Sequence, residues 1–101
     1  MNHSDTMSLA LHQAIADLLN TEPVYVLARG LQRLESKYRG RDHAAVDRWA
    51  RTCRSGDLRQ LHRMLTAEDD EGNWLRANTV FETVLTSHER DTIVSRTRQR
   101  H

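Results

Sequence analysis

Cysteine occurs once in the 101 residues, proline once and glycine four times, and aromatic residues make up 5%. A single cysteine cannot close an internal disulfide, so a disulfide scaffold is excluded. With no leader-like start, the lone thiol points to a reducing, cytoplasmic setting. So few turn-forming and β-favouring residues argue against a sandwich or a barrel. No apolar run approaches the roughly 20 residues that a membrane span needs, so no membrane partner is expected. The chain also carries no phosphate-binding glycine loop, no dinucleotide motif, no HExxH and no GxSxG. Neither enzymatic activity nor a cofactor is expected from it.

Apolar residues instead recur at helical spacing along most of the chain. The expectation is an all-α fold: one domain, 1–101, built as a compact bundle of about five to six short antiparallel helices. Residues 1–4 and 96–101 are expected to be flexible termini. A first helix is predicted with Ser4 or Asp5 as N-cap and Met7, Leu11, Ala14, Ile15, Leu18 and Leu19 on one face. Pro23 suits the first turn of a second helix. There Val24, Leu27, Ala28, Leu31, Leu34 and Tyr38 form the expected inner face, with Gly30 as a point of close approach. Arg39-Gly40-Arg41 reads as a break, and Asp42 as the cap of a third helix that buries Val46, Trp49, Ala50 and Cys53. Gly56 reads as a left-handed C-cap, and Asp57 with Gln60 as a capping box for a short helix facing in through Leu58, Leu61, Met64 and Leu65. Thr66 to Asn73 reads as an acidic loop. Asn73 would cap a fifth helix with Trp74, Ala77, Phe81, Val84 and Leu85 inward. Thr86 with Glu89 opens a last helix that carries Ile93 and Val94 into a basic tail.

The formal net charge is only +1, but the charges are segregated. Residues 1–28 hold three acids and no lysine or arginine, whereas residues 29–63 hold ten basic residues against four acids. The next segment, 64–91, is acidic, and 92–101 is basic again. Arg29, Arg33 and Lys37 fall at i, i+4 and i+8, one stripe of the second helix opposite Val24 and Leu31. Arg48, Arg51 and Arg54 step by three along the third, and Arg59 and Arg63 are one turn apart on the fourth. Arginine chelates phosphate with two parallel hydrogen bonds and keeps its charge at any relevant pH. These eight residues are the candidate nucleic-acid-binding set, alongside the bland alternative that they are simply a solvated face.

Other clusters carry weaker signals. Glu68-Asp69-Asp70-Glu71 lacks the ligand spacing of a calcium loop and reads as solvated, or as a contact for the basic face of a neighbouring copy. His43 and Asp47 share a helical turn, but no third metal ligand can be placed. Cys53 belongs on an inner face beside Trp49, as a structural thiol. The aromatics fall at inward or boundary positions, so no base-stacking platform is expected, and nucleic-acid contacts would be to backbone.

The stretch Leu58 to Arg90 reads LRQLHRMLTAEDDEGNW, then an amphipathic helix, then SHER. It resembles the C-terminal half of the small subunit of class 1 CRISPR effector (Cascade-like) complexes. The shared pattern is a Leu/Arg helix, a polar loop, an acidic or amide residue followed by Trp at a helix start, and a later helix opening with charged residues. The chain is shorter than longer members, and their N-terminal half is not evident. The resemblance implies a non-catalytic helical subunit that stacks in several copies in a ribonucleoprotein and touches RNA or DNA phosphates. It carries over to Arg59 and Arg63, and less directly to Arg51 and Arg54. The competing readings are a small helical interaction or regulatory module (a homodimer or adaptor), and a helix-turn-helix regulator across Cys53 to Leu61.

Overall fold

The periodic segments form six α-helices: α1 (His3–Thr21), α2 (Pro23–Tyr38), α3 (His43–Ser55), α4 (Leu58–Thr66), α5 (Asp70–Ala77) and α6 (Ser87–Gln99). The computed structural model describes residues 3–38 and 42–99, among which there is no strand. The expected break at Arg39-Gly40-Arg41, and the side chains of Ser4 and Tyr38, lie outside the described residues. The protein is a small all-α bundle. α1 is its hub and packs against α2, α4, α5 and α6, while α3 lies against α2, α4 and α5. The Cα radius of gyration, 12.9 Å, is that of a close-packed domain of this length.

Local chemistry sets most of the helix ends. The Asp42 carboxylate accepts from the Ala44 N–H at 3.0 Å and starts α3. Gly56 ends it at φ 71°, where a side chain would be strained. Asp57 accepts from the Gln60 N–H at 3.0 Å and starts α4. Before α6, Thr86 and Glu89 bond each other's backbone N–H reciprocally, at 3.1 and 2.8 Å, which is a complete capping box.

Four expectations are corrected. α1 is already helical at His3, so Asp5 lies inside the first turn, where a negative charge favours the helix dipole, rather than at the cap. α5 starts earlier than expected, capped by Asp69 and not Asn73; the Asp69 carboxylate accepts from the Gly72 N–H at 2.8 Å. It also stops earlier. The Asn78 amide donates to the Trp74 carbonyl at 3.0 Å, and Thr79 Oγ1 accepts from the Phe81 N–H at 3.1 Å. Such side chain–backbone bonds compete with the helical ladder. Val80, Phe81, Val84 and Leu85 are therefore buried from a non-helical segment. Finally, α6 continues to Gln99 with Thr97 buried, so Arg96 and Arg98 stand on a docked helix and not in a tail.

The largest difference is the rotation of α2. Val26, Gly30, Leu34 and Lys37 face inward, whereas Val24 is 79% exposed and Leu31 38%. Phe81 causes this: its ring edge sits where a Cβ on Gly30 would lie, 2.6 Å from Cε1. The close approach foreseen at Gly30 is real, but it is made by a loop and not by a crossing helix. Phe81 also meets Trp49 edge-on, with ring centroids 5.2 Å apart, and the Trp49 indole N–H donates to the Leu75 carbonyl at 2.8 Å. Trp49, Phe81, Leu61 and Leu65 are fully buried at the centre of the core, each worth roughly 1.5–3 kcal/mol of transfer free energy.

Candidate nucleic-acid interface

The sequence places eight basic residues on three helices, and the fold divides them. On α2, the Arg33 guanidinium donates to Glu82 Oε2 at 3.2 Å and Lys37 Nζ donates to Glu82 Oε1. Lys37 is only 4% exposed. Lys37 therefore lies inward and not on the expected outer stripe, whereas Arg33 stays about a third exposed while the carboxylate on the 78–86 segment holds it. Arg29 stands 5.3 Å over the Tyr25 ring, in cation–π geometry. Tyr25 in turn donates its hydroxyl to the Val84 carbonyl at 3.1 Å. The α2 cations thus lie on or beside the surface that clamps the non-helical segment.

The α3 and α4 arginines behave differently. Arg48, Arg51, Thr52 and Gln60 border a groove of about 320 Å3 between the two helices. Arg48, Gln60 and Arg63 border an adjoining one that runs toward Asp69 and Glu71. The fold therefore brings Arg48, Arg51 and Arg63 around Gln60, whose side chain accepts from Arg63 at 3.3 Å. Arg54 is exposed in the last turn of α3. Arg59 is exposed but opens on the other flank of α4, beside Leu19, Pro23 and His62. Arg48 pairs with Glu71 at 2.5 Å, so part of the acidic run engages a basic face within the same chain. Arg51, Arg54, Arg59 and Arg63 form no salt bridge among the described residues. The α3–α4 ridge is the cationic surface left available.

The remaining candidates resolve into structure. Cys53 is buried, and burial pushes its thiol up to about 11, so it is protonated and unreactive at neutral pH. Trp74 is half-buried in the middle of α5, and its indole donates to Asp42 Oδ2 at 2.8 Å. That bond, with the Ala44 and Ala45 N–H groups, holds the Asp42 carboxyl below the usual carboxylate range. Among the described residues, no three of His, Cys, Asp and Glu gather into a possible metal site. No helix among them is long and apolar enough to cross a membrane.

Two functional-looking residues gave no signal in the sequence. Arg76 is 2% exposed and caps α4 from α5: its guanidinium donates to the carbonyls of Leu65 at 3.3 Å and Ala67 at 2.5 Å, and to Asn73 Oδ1 at 2.7 Å. A cation there complements the C-terminal end of α4. His12 is buried on α1, with Nδ1 2.7 Å from the Ser8 carbonyl and Nε2 2.8 Å from Thr79 Oγ1. The carbonyl can only accept, so Nδ1 carries the proton and Nε2 accepts from Thr79. Burial, aided by the positive charges of Arg76 and Arg90, drives the imidazole down to about 4 despite the Ser8 bond. Only the periodic spacing of α1 places His12, and nothing local announces its partner 67 residues away.

Compared with known proteins, the chain matches no family model, no curated protein and no solved structure.

Proposed function

We propose that this protein is a non-catalytic subunit that holds a nucleic-acid backbone within a larger ribonucleoprotein. The observation that carries the reading is the α3–α4 ridge. Arg51, Arg54 and Arg63 are exposed there without acidic partners among the described residues, and Arg48 lies between the two grooves. Arginines on rigid helices can contact successive phosphates without reading bases. The buried placement of Trp49 and Phe81 leaves no stacking platform on that ridge, which fits sequence-independent contact. The resemblance of Leu58 to Arg90 to the small subunit of Cascade-like complexes agrees with this role. In such complexes strand opening is nearly balanced, and modest backbone contacts tip it. The site in this reading is Arg48, Arg51, Arg54 and Arg63, with Arg59 on the flank; it leaves aside Arg33 and Lys37, held by Glu82, and Arg29, which stands over Tyr25.

The test is fluorescence anisotropy with labelled single-stranded RNA, single-stranded DNA and duplex DNA across a salt series. With about four phosphates neutralised, log K should fall against log salt with a slope of about −3. The double variant Arg51→Glu/Arg63→Glu should abolish binding. Binding that is absent at low salt, or unchanged in that variant, removes the reading.

A second reading, a helical interaction module, draws on the outward Val24, Ala28 and Leu31 of α2. It expects self-association that salt does not weaken and that Val24→Asp breaks. Light scattering during size-exclusion chromatography distinguishes the two.

A further inference from the structure

A cavity of about 270 Å3 lies between α1, the 79–82 segment and the start of α6, away from the α3–α4 ridge. Met7, Leu11, Ile15 and Phe81 supply apolar lining, and Arg76 and Arg90 line it too. Both arginines act electrostatically on His12, which is also part of the lining.

The hydrogen bonds around these groups leave one buried donor unused. His12 is satisfied on both nitrogens. Glu82 also lines the cavity, but its carboxylate is already engaged by Arg33 and Lys37, so it does not cancel the charges facing it. Asp5, Asp69 and Glu68 all act on Arg76 as negative charges, Asp5 most. The terminal nitrogens of Arg76 are spent on Leu65, Ala67 and Asn73, and its Nε is buried with no hydrogen-bond partner. A buried unpaired N–H costs about 1–3 kcal/mol, and here it belongs to a cation that is 2% exposed. Arg90 forms no salt bridge among the described residues. An apolar enclosure with a few convergent polar groups is the general form of a small-molecule site.

We propose that this cavity binds a small organic anion: a carboxylate between Arg76 and Arg90, on an apolar body that packs against Met7, Leu11 and Phe81. The site is distinct from the ridge and does not depend on the nucleic-acid reading. Occupancy would brace α1, the 79–82 segment and α6 against one another, since each contributes a wall.

The probe is benzoate, with benzamide as its neutral isostere, added to the full chain and followed by calorimetry and by NMR. Benzoate is expected to saturate and to shift the resonances of His12, Thr79 and the Met7 methyl, while benzamide does not. A bound anion should also raise the His12 pKa, because it offsets the two arginine charges. Arg90→Gln, on an exposed helix position, should weaken benzoate by about tenfold or more, as loss of a charge-assisted contact does. Arg51→Gln should leave benzoate binding unchanged. The proposal is overturned by the absence of saturation up to about 50 mM, a range that would detect any affinity of practical strength. It is equally overturned by shifts confined to α3 and α4, by equal binding of benzamide, or by undiminished binding in Arg90→Gln.

Discussion

Acidification should destabilise this protein well before its carboxylates protonate, and His12 sets the size of the effect. Its imidazole is 5% exposed and is held neutral, with a folded-state pKa of about 4 against an unfolded value of 6.5. The unfolded chain therefore binds the extra proton throughout the interval between those values. Stability from this group is fully present above pH 6.5 and drains away as the pH falls toward 4. The interval from 6.5 down to about 4 corresponds to about 3 kcal/mol, of which about 2 kcal/mol is gone by pH 5. For a domain whose total stability is of the order of 5–15 kcal/mol, that is a large fraction. The assay is urea denaturation at pH 7.5, 6, 5 and 4.5, on the wild type and on His12→Gln. The variant loses the Thr79 and Ser8 bonds and starts lower, but its midpoint should change little between pH 7.5 and 5, while that of the wild type falls. Parallel curves for the two proteins, or a His12 ring resonance that titrates near 6.5, would refute the reasoning.

Further perturbations separate the forces that build the fold. Gly30→Ala should not gain the roughly 1 kcal/mol that alanine normally brings to a helix. Its Cβ would fall 2.6 Å from the Phe81 ring, so a loss of about 1–3 kcal/mol is expected in chemical denaturation. Trp49→Phe removes the donor to the Leu75 carbonyl at 2.8 Å, and thermal unfolding should show a loss of about 2–4 kcal/mol from the bond and the void together. Asp57→Ala strips the cap from the nine-residue α4 and should cost about 1 kcal/mol by the same assay. Glu82→Gln leaves Arg33 and Lys37 without their shared carboxylate. It should destabilise by about 1–2 kcal/mol, discounted because Glu82 is over a third exposed, while nucleic-acid affinity in anisotropy stays unchanged.

Much of the fold was legible where the information is local. Asp42, Gly56, Asp57, and Thr86 with Glu89 each act within four residues of themselves and lie where the sequence put them; Gln60 does not complete the expected box, because the Asp57 N–H donates to Ser55 Oγ and the Gln60 side chain accepts from Arg63. The inner faces of α3 and α4 follow too, apart from Leu58 at the edge, because each of these helices has a single apolar side. The failures sit where two local signals compete. Asn73 and Asp69 are both good caps, and Asp69 wins because its carboxylate reaches the Gly72 N–H. Residues 78–86 have helical periodicity, yet Asn78 and Thr79 spend their side chains on the backbone and end the helix.

The α2 helix shows why the candidate site could be read only in part. It has apolar residues on both sides: Val24, Ala28 and Leu31 on one, and Val26, Gly30 and Leu34 on the other. Periodicity weighs these nearly equally, with one valine and one leucine on each side. The deciding residues are remote. Phe81 needs the space that only Gly30 leaves, and Glu82 supplies the carboxylate that lets Arg33 and Lys37 turn inward. Once Phe81 and Glu82 adopt their positions, the outer stripe becomes an internal clamp, and Val24 and Leu31 are left outside. Beside α3 and α4, Asp57 and Asp69 line the grooves as well, but among the described residues the salt bridge there is that of Glu71 with Arg48. A basic stripe therefore tells little about ligands until the acids elsewhere in the chain have been placed. Here that placement ties two of the α2 cations to Glu82 and leaves most of the exposed candidate arginines on α3 and α4.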